Sequence, residues 1–130
     1  MKLDLKKAFD SIDWEFLRLI LHTMGFGDKF IHWILSCVTS ANFAVMINGE
    51  PSSFYKSERG LRQGCPLSPY LFILIMEGLS LLLSKRFTDH HISGIKVSNC
   101  IKIVHLMFVA DVLLLMKADL AEWLVIQDVL

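Results

Sequence analysis

Arg59-Gly60-Leu61-Arg62-Gln63-Gly64-Cys65-Pro66-Leu67-Ser68-Pro69-Tyr70-Leu71-Phe72 is a polar loop that hands over to an apolar helix. Gly60 and Gly64 admit backbone conformations closed to other residues and let a ligand approach the main chain. Ser68 followed by Pro69 predicts an N-cap and a first helical position. Leu, Ile, Phe and Met then dominate as far as Arg86. Leu71, Leu74, Ile75, Leu79 and Leu82 are the positions expected to be buried beneath a sheet. A polar loop carried on a buried helix holds a binding site in place. Ser68-Pro69 alone is an ordinary helix cap; the whole run gathers more constrained residues than a cap requires.

Composition sets the bounds. The chain has 130 residues, enough for one domain with a real core, and its 54% hydrophobic content excludes intrinsic disorder. A formal net charge of zero argues against a strong nucleic-acid-binding module standing alone, because phosphate binding needs a basic face. It leaves room for an enzyme core whose basic parts lie elsewhere. Cys37, Cys65 and Cys100 are an odd set without metal-ligand spacing and read as reduced thiols of an intracellular protein. Charges at Lys2, Asp4, Lys6 and Lys7 leave no apolar core for a signal peptide. Residues 70–83 include Glu77 and are too short a run to span a membrane.

Working outward, residues 1–5 read as a strand ending near Asp4. Asp13 caps a helix whose inner face is Phe16, Leu17, Ile20, Leu21 and Met24, and Gly25 ends it. Asp28 caps a second helix with Phe30, Ile31, Ile34, Leu35 and Val38 inward. Trp14 and Trp33 read as packing groups, and His22 and His32 as solvated. Alternation over residues 43–47, then Asn48-Gly49, predicts a hairpin that delivers the chain to the loop. Beyond the long helix, Lys85 and Arg86 suit its C-terminus. A short strand at 94–97 precedes a second hairpin, 101–109 with 112–116, turning at Ala110-Asp111. Residues 121–130 read as a final helix.

The loop closely resembles the Arg-Gln-Gly-x-Pro-Leu-Ser-Pro motif of reverse transcriptases, in particular those of LINE-type, non-LTR retrotransposons. There it precedes a palm helix and touches the incoming nucleotide and the template; the contacts implied here are Gln63, the Gly64 backbone and Arg62. Asp4-Leu5-Lys6-Lys7-Ala8-Phe9-Asp10-Ser11-Ile12-Asp13-Trp14 resembles the family's first catalytic motif. The resemblance makes Asp4 a metal-binding aspartate and Phe9 the bulky gate at the sugar 2′ position. Phosphoryl transfer calls for carboxylates on Mg²⁺, and a ring packed under a ribose excludes a hydroxyl. Singly, Asp4 is also an unremarkable strand-end carboxylate and Phe9 a core ring.

His105-Leu106-Met107-Phe108-Val109-Ala110-Asp111-Val112-Leu113-Leu114 resembles the family's Phe-Ala-Asp-Asp or Tyr-x-Asp-Asp turn. Aligned without a gap, Ala110 falls where the first aspartate belongs and Asp111 matches the second. With Val109 as an insertion, Asp111 is the first aspartate and Val112 the loss. Either way one carboxylate is missing. As strand neighbours, Ala110 and Asp111 would point to opposite faces.

The resemblance, three blocks in the family's order, implies an α+β palm: a small antiparallel sheet with helices packed on one face, its Asp4 strand beside the 110–111 hairpin. Residues 1–130 would be a single partial reverse transcriptase domain lacking fingers and thumb. The implied activity is RNA-directed DNA polymerisation with Mg²⁺, acting on an RNA template, a DNA primer and deoxynucleoside triphosphates. The implied metal ligands are Asp4 and Asp111, and this copy is expected to be impaired at Ala110. The alternatives are a non-catalytic palm-like module that binds RNA or protein, and a decayed element fragment.

Overall fold

The computed structural model describes residues 1–98 and 100–129. Its elements run β1 (Lys2–Asp4), α1 (Trp14–Thr23), α2 (Asp28–Thr39), β2 (Asn42–Phe43), β3 (Met46–Ile47), β4 (Glu50–Pro51), β5 (Tyr55–Lys56), α3 (Ser68–Thr88), β6 (Ile95–Lys96), β7 (Lys102–Ile103), β8 (His105–Phe108), β9 (Asp111–Leu114) and α4 (Leu120–Gln127). The expected end of the last helix, Leu130, lies outside the described residues. This is an α+β arrangement of helices and small antiparallel sheets. No helix among the described residues is long and apolar enough to cross a membrane. The chain forms two compact units, one of Met1–Lys6 with Ile75–Leu130 and one of Lys7–Leu74.

The first unit is built on a three-stranded antiparallel sheet in the order β1-β9-β8. Its strands alternate strictly. Leu3, Met107, Val112 and Leu114 face a core shared with Leu79 and Leu83 of α3 and Ile126 of α4. Lys2, Asp4, Leu106, Phe108, Asp111 and Leu113 are the intervening residues, and all are exposed. Period-two alternation thus gives the sheet one helix-covered face and one open face.

The long helix corrects one expectation. Leu71 and Ile75 are buried and Leu74 and Leu79 half-buried, but Leu82 is exposed and Leu83 is fully buried. A straight helix turns every 3.6 residues, so an apolar stripe followed at 3.5 drifts off the buried face within a few turns. Arg86, in its last turn, pairs with Asp128 at 2.8 Å.

In the second unit Leu17, Ile20 and Leu21 of α1 and Ile31 and Ile34 of α2 are buried, while Phe30 is exposed and stacks on Phe26. Asp13 caps α1 as expected, accepting from the backbone N–H groups of Glu15 and Phe16. Asp28 does not cap α2: the N-cap is Gly27, and Asp28 sits in the first turn, where its charge complements the helix dipole. Trp33 is exposed, with the Lys29 ammonium over its ring.

Candidate functional site

In the sheet-bearing unit, β1 pairs with β9 so that Asp4 lies directly opposite Asp111, and Phe108 of β8 lies opposite Asp111 from the other side. The Leu5 N–H donates to the Ala110 carbonyl at 3.1 Å. The strand bearing Asp4 therefore lies beside the hairpin, as expected. Directly opposed residues of an antiparallel pair point to the same face. Both carboxylates stand on the open face.

The turn itself differs from expectation. It is Val109-Ala110, and Asp111 is already the first residue of β9. Ala110 and Asp111 are consequently not neighbours within one strand, and Asp111 shares the face of Asp4. Val109 sits at φ 53°, a left-handed conformation that a β-branched side chain enters only under strain.

Lys2 completes this face. Its Nζ lies 3.0 Å from Asp111 Oδ1. The Asp111 carboxylate, by hydrogen bond and by charge, holds the Lys2 ammonium above its ordinary pKa, and Asp4 adds a smaller pull in the same direction. Strand alternation was the signal: two residues before Asp4, Lys2 had to share its face. A shallow cavity of about 240 Å³ adjoins the pair, lined by Leu106, Phe108 and Leu113 among others.

Behind the sheet, His105 Nε2 and Ser80 Oγ of α3 are 2.9 Å apart. His105 Nδ1 is buried without a hydrogen-bond partner among the described residues. Burial lowers the imidazole pKa, against an opposing pull from Glu77.

In the other unit, the segment following Asp4 meets the glycine-rich loop. The Gly60 N–H donates to the Ile12 carbonyl and the Leu61 N–H to the Phe9 carbonyl, each at 2.7 Å. Trp14 Nε1 donates to the Gly60 carbonyl at 2.8 Å, and Gln63 Nε2 to Asp10 Oδ1 at 3.2 Å. Gly60 has φ +94°, and a Cβ there would meet the Asp10 carbonyl oxygen at 2.8 Å. Only glycine satisfies both the backbone angle and the approach. Gly64 has φ +81° with open space around it.

Phe9 is half-buried and stacks on Phe72 of α3, with ring centroids 4.6 Å apart. The gate assigned by resemblance is thus a ring braced by a second ring. Arg62 is exposed, and its Nη2 donates to the Cys37 carbonyl at 3.1 Å. Arg62 and Gln63 line a cavity of about 450 Å³ together with Trp14, Phe43, Tyr55 and Arg59. Cys65 has its thiol pKa lowered, first by the backbone at Leu67. Asp4 and Asp111 are brought together in one unit; Phe9, Arg62, Gln63 and Gly64 belong to the other. Sequence reasoning missed Asp10 and Phe72 as supports, because nothing local marks a partner tens of residues away.

The donor set does not fit a two-ion centre. Such a centre holds two like-charged ions about 3.5–4 Å apart and relies on shared carboxylates to offset their repulsion. Here the open face offers Asp4 and Asp111, the second already paired with an ammonium. Ala110 offers no ligand. Among the described residues no group of three or more His, Cys, Asp or Glu side chains could hold a metal ion.

Residues 1–129 match the family described as reverse transcriptase (RNA-dependent DNA polymerase). The chain is 34% identical over 94% of its length to the Transposon TX1 uncharacterized 149 kDa protein of Xenopus laevis. It is 29% identical over 92% of its length to the retrovirus-related Pol polyprotein from type-1 retrotransposable element R2 of Popillia japonica. An uncharacterized mitochondrial protein of Arabidopsis thaliana is 49% identical over 51% of the chain and 55% of its own length. The chain spans 9% of the Xenopus protein and 19% of the Popillia polyprotein.

Proposed function

This chain belongs to the reverse transcriptase family, in its LINE-type, non-LTR branch, and we propose that it is a palm region whose catalytic face is impaired at Ala110. The substrates in keeping with the family are a primed RNA template and deoxynucleoside triphosphates. Phe9, backed by Phe72, is assigned to the sugar of the incoming nucleotide. Gln63, Arg62 and the Gly64 backbone are assigned to nucleotide and template. Gly60 holds the loop against the segment bearing Phe9 and is a positioning residue.

The observation that carries the reading is the open face itself: Asp4 opposite Asp111, an alanine at the turn and, among the described residues, no third carboxylate completing a metal-binding group. A methyl group offers neither ligand nor charge, and a water in its place would supply no charge. The test grafts Met1–Leu130 into an active LINE-type enzyme, with and without Ala110→Asp, and measures primer extension. Extension is expected only with the aspartate restored. Robust extension by the unaltered graft would overturn the impairment and leave Asp4 with Asp111 as the working pair. The second reading, a non-catalytic module that keeps RNA binding, draws on the same missing carboxylate. It predicts RNA retention by both grafts and extension by neither.

A further inference from the structure

The mismatch between this face and a two-ion centre points to a residue that neither the motifs nor the comparisons single out. We propose that the Lys2 ammonium is the resident cation of the Asp4–Asp111 face, and that a divalent ion binds there only by displacing it. The proposal rests on the reading of this face as the metal-facing side of the palm.

Three observations carry it. Lys2 and Asp4 are alternate residues of β1, so both project from the open face, and Asp111 stands opposite Asp4 on β9. The Lys2 ammonium is 3.0 Å from an Asp111 oxygen, the distance of a direct ion pair. Among the described residues no further His, Cys, Asp or Glu completes a metal-binding group. Two carboxylates and one ammonium leave a net charge of minus one, where a second ion would have to bring two positive charges. The ion pair is open to solvent, with the two side chains 65% and 52% exposed, so it is exchangeable and acts by occupying a ligand oxygen and by repulsion. Lys2 and Asp111 both line the adjoining depression, together with Leu106, Phe108 and Leu113.

The test is Mn²⁺ binding to the purified chain, read from the loss of the free-ion electron paramagnetic resonance signal at low ionic strength. Lys2→Met keeps the stem and removes the charge. It is expected to tighten Mn²⁺ binding by about tenfold, the Coulomb effect of removing one positive charge roughly 5 Å from a divalent ion in a watery setting. Lys2→Arg should bind as the parent does. The gain should vanish in Lys2→Met with Asp111→Asn, and should shrink as salt is raised. Thermal melts check that each variant is folded; Lys2 is on the surface, and these substitutions leave the core intact. If Lys2→Met binds as the parent does while Asp4→Asn or Asp111→Asn weakens binding, the Lys2 proposal fails and the metal-facing reading stands. If neither aspartate substitution changes Mn²⁺ binding in either background, both fail together.

Discussion

Among the described residues two hairpins turn on two residues each, and they are built on opposite principles. Asn48-Gly49 joins β3 to β4 with φ 51° and 89°. Positive φ at both central positions is the type I′ pattern, and Asn-Gly is the pair that adopts it without strain. Val109-Ala110 joins β8 to β9 with positive φ at its first residue, where a valine stands. Nothing in Val-Ala favours that turn. The flanking strands explain it. Met46, Ile47, Glu50 and Pro51 around Asn48-Gly49 are exposed, whereas Val112 and Leu114 are almost wholly buried. The first turn is made by its own residues. The second is imposed by the register of a packed sheet, and the strain falls at Val109, two residues before Asp111.

The largest expected effect separates the anchors of the two hairpins. Leu114→Ala should lower unfolding free energy by about 2–5 kcal/mol, as buried leucines do. Ile47→Ala, on an exposed strand, should stay within about 0.5 kcal/mol. Urea melts of the two variants read this directly, and equal losses would break the comparison.

The next effect exchanges the turn chemistries. Gly49→Val places a β-branched side chain at positive φ and should cost about 1–3 kcal/mol. Val109→Gly should relieve strain, partly offset by the freedom glycine gains in the unfolded chain, for a net stabilisation of about 1 kcal/mol. A Val109→Gly variant less stable than the parent would mean that the valine side chain contributes packing that outweighs its backbone strain.

The smallest effect tests how the imposed hairpin is seated. Burial lowers the His105 pKa, and protonation would place an N–H on a buried Nδ1 that has no acceptor among the described residues. Above the ordinary histidine value of about 6.5 both folded and unfolded chains hold a neutral ring. Below it the unfolded chain takes up the proton first, so stability falls as pH drops toward the folded pKa and then levels off. Urea midpoints measured from about pH 7.5 down to pH 5 should fall in the parent and fall less in His105→Gln. The same slope in both would remove His105 as the cause.

Much of the site was legible because its signals are local. The Arg-Gln-Gly run, the block following Asp4 and the 105–114 hairpin stand in the family's order. Asp13 announced its cap, Asn48-Gly49 its turn, and the glycine expected at position 60 has φ +94°. Asp28 misled because an acidic first-turn residue and an N-cap look alike in sequence, and the structure gives the cap to Gly27.

By itself the sequence determined the alternation of the sheet strands, the Asp13 cap, the Asn48-Gly49 turn and the permissive glycines, all of which depend on residues within a few positions of one another. Only the tertiary structure decided that Asp111 faces the same way as Asp4, that Lys2 sits on Asp111, that Phe9 rests on Phe72 and that Leu83 rather than Leu82 enters the core. Each of those depends on register between segments far apart in the chain. Register is set by which long-range hydrogen bonds and buried faces coincide, and a local pattern is compatible with more than one such pairing.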